Sequence, residues 1–270
     1  MYWTKAASIL KMPQTAMLDS EVPVSPQRAA QDMVTLLRDN VGSCRLPSDP
    51  KQLVFDGWRQ LCERYAPVFL EKSPHHLVQW SALQLIQECM QTLQEIDFLL
   101  VGLIRNPMAT LYSAFRRWRI PPEQYQYEWL IAYQNLQKLV GCLGDRLVVV
   151  RYEDMVVSPA PLRRVFDFCG APPALAYDGF LHQKSIAKWR KNAWYGFQPA
   201  EEVVQLAEAY GYQRTELVNQ AHWLWPIYRD MTRGAYRSVR SAARTLSGIR
   251  NHRLGSDRVA ADSPACSQPV

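Results

Sequence analysis

Apolar positions along the chain switch between runs and helical spacing, and the switches delimit elements. Residues 98–104, Phe-Leu-Leu-Val-Gly-Leu-Ile, form a continuous apolar run of strand length that ends at Arg105. Such a run fits a strand buried on both faces. From Pro107 the spacing becomes helical, with the proline in the first turn and Arg116 and Arg117 near the end. A second run, 146–151, predicts another buried strand; it closes in an acidic turn at Tyr152-Glu153-Asp154 before Ser158-Pro159 opens a helix. A third, Ala66 to Glu71, reads as a short buried strand ended by the polar turn Lys72-Ser73-Pro74-His75-His76.

Helices fill most of the remainder. Ser25 is placed to cap a helix with Pro26 in its first turn and Ala29, Ala30, Met33, Val34, Leu36 and Leu37 at helical spacing, ending near 40–42. Further helices are predicted over 51–65, 76–93, 123–142 and 200–212, the last stopped by Gly211. Residues 1–11 are only weakly patterned. Strand followed by helix, twice in succession, argues for a parallel α/β sheet. Beyond Tyr212 a helix over 216–249 carries Arg229, Arg233, Arg237, Arg240 and Arg244 as a cationic stripe. That stripe suits peripheral contact with an anionic membrane or an acidic protein, and equally a solvated face. Residues 256–270 are small, polar and expected to be disordered.

Composition narrows the class. A chain of 270 residues with 48% apolar content builds a sizeable core, and no internal repeat is present. A net charge of +6 favours an anionic partner, yet so small an excess does not point to nucleic acid. The six cysteines form no CxxC pair and no metal-ligand spacing with histidine, which indicates free thiols in a reducing compartment and no metal. No apolar run reaches the roughly 18 residues needed to cross a bilayer, and no signal core is present. These features together predict a cytoplasmic location.

The motifs then suggest a chemistry. Arg105-Asn-Pro-x5-Ser113 after a strand, Glu71-Lys-Ser-Pro before it, and Val150-Arg-Tyr-Glu-Asp-Met with the following Ser-Pro-x-x-Leu resemble, in order and spacing, segments of sulfotransferases that use 3′-phosphoadenosine 5′-phosphosulfate (PAPS). The basic segment His182 to Asn192 and the helix ending at Tyr212 extend that resemblance over 68–212. It implies that Arg105 and Ser113 hold the nucleotide 3′-phosphate, with Lys188, Arg190 and Lys191 as further nucleotide contacts. Lys72 would offset charge on the transferring group, and His75 and His76 are the candidates for general base. Residues 1–50 contain no counterpart of the family's first strand and phosphosulfate-cradling loop.

The expected fold is therefore α/β: a parallel sheet flanked by helices, of the P-loop sulfotransferase type and incomplete at its amino-terminal side. Its domain spans 1–212, followed by a basic helical extension over 213–255 and the tail. The implied activity is sulfuryl transfer from PAPS to a small-molecule, carbohydrate or peptide hydroxyl or amine, inactive or weak in this chain. The alternative is a catalytically dead nucleotide-binding or interaction protein that docks through the basic helix. A phosphoryl-transfer enzyme on the same fold is the weaker third reading, since no magnesium-holding pair stands out.

Overall fold

The computed structural model describes residues 1–42, 47–172 and 186–219, together with His222, Leu224 and Met231. The chain divides into two units, one of Met1–Asn192 with Phe197–Asn219 and one of Ala193–Gly196 with Gln220–Val270. In the second unit, the His222 amide donates to the Ala193 carbonyl at 2.9 Å, and the Trp194 and His222 rings stack at 4.8 Å.

The first unit is α/β, mostly helical, around a small sheet. Strands β1 (Leu100–Ile104) and β2 (Leu147–Arg151) pair in parallel, with Leu100 opposite Leu147 and Ile104 opposite Arg151. Helices α1 (Tyr2–Ile9), α2 (Pro26–Val41), α3 (Pro50–Arg64) and α4 (Trp80–Thr92) precede β1. Between the strands lie α5 (Pro107–Trp118) and α6 (Pro122–Leu143). After β2 come α7 (Tyr152–Val157), α8 (Arg163–Phe168) and α9 (Glu201–Ala209). The Ser25 hydroxyl accepts from the Arg28 amide and Asp49 from Gln52, so α2 and α3 begin where capping residues precede a proline.

The sequence undervalues the first eleven residues. Helix α1 buries Tyr2, Trp3, Ala6, Ala7 and Ile9 between α2 and α4, and it carries no polar stripe because almost its whole circumference is covered. The Trp3 and Trp58 rings lie 4.7 Å apart, Tyr2 meets Trp58 at 5.0 Å, and Trp58 meets Phe69 at 5.1 Å. The Tyr2 hydroxyl donates to the Val54 carbonyl, and Lys5, the helix's one charge, pairs with Asp32 at 2.9 Å.

That aromatic cluster explains why 66–71 is not a strand. Pro67 has no amide to donate, Phe69 is seated between Trp58 and Tyr65, and Leu70 is 80% exposed. The segment packs by side chain onto α3 instead of pairing with β1. Two further expectations are corrected. The strands are not buried on both faces, since Val101 (42%), Leu103 (41%) and Val149 (38%) remain exposed. The acidic turn after β2 is the first turn of α7, where Glu153 and Asp154 suit the positive end of the helix dipole.

Helix α6 lies on β1 with unusual intimacy. A Cβ at Gly102 would stand 2.5 Å from Leu136 Cδ1, so glycine is what lets the helix approach. Trp129 Nε1 donates to the Arg105 carbonyl and the Tyr133 hydroxyl to the Leu103 carbonyl, each at 3.2 Å. Four helical residues rise about 6.0 Å and two strand residues about 6.6 Å, so one turn of α6 matches one repeat of the strand.

The first unit continues to Asn219, and 213–219 pack with it although the sequence assigns them to an extension. Arg214 bridges Glu201 and Glu208 of α9 at 2.6 and 3.2 Å. A short turn, Arg214–Leu217, ends in extended Val218, so the helix expected from 216 is not formed over 216–219. Apart from His222, Leu224 and Met231, the cationic stripe and tail lie outside the described residues. Among the described residues no helix is long and apolar enough to cross a membrane.

If α1 anchors this layer, Trp3→Ala should cost about 3–5 kcal/mol, the usual range for emptying a large aromatic site. Urea unfolding followed by far-ultraviolet circular dichroism reads it, and a loss under 1 kcal/mol would show that α1 is dispensable.

Candidate anion-binding cleft

The turn between β1 and α5 is fixed residue by residue. The Asn106 amide donates to Glu153 Oε1 at 3.1 Å, its Oδ1 accepts from the Ala109 amide at 3.3 Å, and its Nδ2 donates to the Glu216 carbonyl at 3.2 Å. Pro107 occupies the first helical position, where a missing amide costs nothing. Glu153 is itself held by the Tyr212 hydroxyl at 2.7 Å. The Arg105 guanidinium lies over the Tyr152 ring, 4.6 Å from its centroid. The Tyr-Glu pair after β2 thus orients the Arg-Asn pair after β1.

Arg105 and Ser113 open onto a cleft of about 520 Å³. Its lining includes Lys188 together with Tyr112, Arg116 and Arg117, and among the described residues no carboxylate takes part. Residues 109, 112, 113, 116 and 117 form one face of α5, the spacing that could have added Arg116 and Arg117 to the site from sequence. The short turn Lys188–Lys191 is pinned beside α5 by buried Trp189. Asn192 Nδ2 donates to the Tyr112 hydroxyl at 3.2 Å, and Asn219 Nδ2 to the Asn192 carbonyl at 3.2 Å. Ala187 enters this turn at φ +53°, a left-handed conformation that costs a non-glycine residue about 1 kcal/mol.

The other sequence candidates fall elsewhere. Arg190 lies over the Trp189 indole at 5.3 Å, and neither it nor Lys191 lines the cleft. Lys72 is exposed and also outside the lining. His75 Nε2 is 3.6 Å from Asp19 Oδ1, and Tyr125 donates to Asp19 Oδ2 at 3.3 Å. That hydrogen-bonded partnership with His75 holds the Asp19 carboxyl below its ordinary range. His76 is buried, with Nδ1 3.5 Å from Glu71 Oε2. Burial, reinforced by the Met1 ammonium and His75, pushes its imidazole down to about 3, so it is neutral at pH 7.

Chemically, the cleft is equipped to bind an anion. Four cations and two hydroxyls line it, from Arg105 at the end of β1 along one face of α5 to Arg116 and Arg117 in its last turn, with Lys188 beside them, and among the described residues no carboxylate joins the lining. No three metal-ligating side chains come together among the described residues. The described cysteines are free, and burial raises the Cys62 and Cys89 thiols to about 11 and about 12, far from a reactive thiolate. Comparison with protein-family models, curated proteins and solved structures finds no match to this chain.

A histidine neutral in the fold but not in the unfolded chain makes stability depend on pH. Its contribution is complete above pH 6.5, the unfolded value, and is lost as pH falls below 6.5 toward 3. Glu71, raised by desolvation, acts in the opposite sense from its ordinary value upward, so the difference between the native chain and a His76 variant isolates the histidine. Urea midpoints from pH 7 to 5.5 should fall, by at most about 1.4 kcal/mol per unit from this group, and His76→Gln should flatten the fall. Equal slopes in the two proteins would mean that His76 is charged in the native state.

Proposed function

We propose that the chain binds a 3′-phosphorylated adenosine nucleotide in this cleft and is a PAPS-dependent sulfotransferase chain of the P-loop type. What supports the reading is the meeting of Arg105 and Ser113, from the β1–α5 segment, with Lys188, about 75 residues further along the chain, in one cleft lined by cations and by no described carboxylate. A guanidinium, a hydroxyl and an ammonium suit a phosphate, the guanidinium offering two parallel donors.

Sulfuryl transfer asks mainly for positioning and charge dispersal, because the donor arrives activated. The acceptor oxygen or nitrogen attacks sulfur, and the bond from sulfur to the bridging oxygen breaks. Its electron pair leaves on adenosine 3′,5′-bisphosphate, and the acceptor proton passes to a base. Lys72, His75 and His76 stand outside the cleft lining, so the reading rests on binding, and turnover by this chain is expected to be weak or nil. That same displacement favours the second reading, a nucleotide-binding protein without catalysis.

Thermal unfolding with adenosine 3′,5′-bisphosphate tests the binding. Ligand at a hundred times its Kd stabilises a folded protein by about 2.7 kcal/mol. The native chain should show that rise, Arg105→Ala should abolish it, and adenosine 5′-phosphate, lacking the 3′-phosphate, should give little. An equal rise with adenosine 5′-phosphate would sink the proposal. Release of the bisphosphate from PAPS in the presence of acceptor separates an enzyme from a binding protein.

A further inference from the structure

Two walls of the cleft come from different parts of the chain, and one short segment holds both. On one side is the turn that carries Arg105, where the neighbouring Asn106 donates through Nδ2 to the Glu216 carbonyl at 3.2 Å. On the other is the turn that carries Lys188. There Asn219 Nδ2 donates to the Asn192 carbonyl at 3.2 Å and reaches the Trp189 carbonyl at 3.5 Å. Glu216 and Asn219 thus lie close together in sequence, and neither lines the cleft.

The segment is itself anchored. Gln213 and Glu216 close a capping box, with the Gln213 amide donating to Glu216 Oε2 at 2.8 Å. Leu217 is buried, and Arg214 ties the segment to α9 through Glu201 and Glu208. Asn219 is buried too, and among the described residues its Oδ1 has no partner. A buried amide oxygen without a donor costs stability, so the contribution of this side chain lies in the bonds of its nitrogen.

Those bonds fall on a turn that needs them. Lys188–Lys191 is a single short turn entered through left-handed Ala187. Its backbone bonds run from the Arg190 amide to the Ala187 carbonyl at 3.0 Å and from the Asn192 amide to the Trp189 carbonyl at 3.1 Å, the tight pattern whose hydrogen-bond geometry is poor. Asn219 joins the carbonyl of its second residue to that of the residue after its end.

We infer that residues 216–219 brace the two walls of the cleft, and that Asn219 is the positioning residue that holds Lys188 where an anion bound at Arg105 meets it. That the anion is a nucleotide phosphate rests on the function proposed above; the brace rests on the hydrogen bonds. A brace raises affinity without touching the ligand, because the lining is ordered before binding. The segment that the sequence places outside the domain is then part of the site.

A double-variant cycle on the full chain tests this. Isothermal titration reads affinity for adenosine 3′,5′-bisphosphate and for pyrophosphate, and amide hydrogen exchange reads Arg190 and Asn192. Asn219→Leu removes the donor together with the unpartnered oxygen at similar volume, and Asn219→Ala is its companion. Either should weaken binding about tenfold. Exchange at both amides should speed about fivefold or more, with exchange in β1 unchanged. Lys188→Met should also weaken binding, and adding Asn219→Leu to it should cost less than about twofold more, because residues that act through one another do not add. Independent effects of the two substitutions, or unchanged exchange at Arg190 and Asn192, would overturn the inference. So would faster exchange in β1 in both Asn219 variants, which would make Asn219 a support of the whole fold. If pyrophosphate binds through the coupled pair and the bisphosphate does not bind, the nucleotide reading falls and the brace stands. If neither ligand binds the native chain, both fall.

Discussion

The cleft depends on one constrained turn. Arg105 carries a long side chain whose freedom is worth about 2 kcal/mol, and an arginine left to wander is a poor ligand. Here its carbonyl is held by the Trp129 indole, its guanidinium by the Tyr152 ring, and the next residue's amide by Glu153. These contacts come from α6 and from the end of β2, so the turn is fixed only when both strands and the long helix are in place. A glycine at 102 completes the arrangement by admitting α6 to the strand. Preorganisation of this kind reduces the ordering cost of binding rather than adding contacts.

The helical layer before β1 does different work. Its aromatic cluster buries Trp3, holds Trp58 and seats Phe69, and its α4 delivers the chain into β1. The two histidines that chemistry suggested as bases are absorbed here, His75 beside Asp19 and His76 beside Glu71. Their neighbours are structural partners, and neither ring lines the cleft. Catalytic residue types are therefore a weaker guide than the cations of the β1–α5 segment and Lys188, which meet in one cleft.

Much of this was legible in the sequence, for identifiable reasons. Helices α2, α3 and α6 announced themselves through amphipathic spacing, and α2 also through Ser25 and Pro26 at its start. Both paired strands were plain as apolar runs ending at arginines. Helix α1 escaped because burial on nearly all sides erases the polar stripe that periodicity detects. Segment 66–71 was misread as a buried strand because its apolar run serves to dock one ring, Phe69, against α3, a tertiary contact that no local pattern records. The exposed positions of the sheet were hidden for a related reason: Val101 and Leu103 on one face and Val149 on the other have the composition of buried positions while standing open to solvent. At the site, Arg105, Ser113 and Lys188 were named from their motifs, whereas Arg116 and Arg117 needed the helix face to be drawn.

Among the described residues the sheet has two strands, and sheet edges recruit other chains into β-pairing. The Leu103 and Arg105 carbonyls, two residues apart, point to the same side of β1, and both are occupied by aromatic donors from one helix. Tyr133 and Trp129 therefore act as blocking groups on an otherwise templating edge. The Trp129 bond that sets the cleft's arginine thus belongs to a pair of contacts that leaves two fewer carbonyls along this strand open to pairing with another chain.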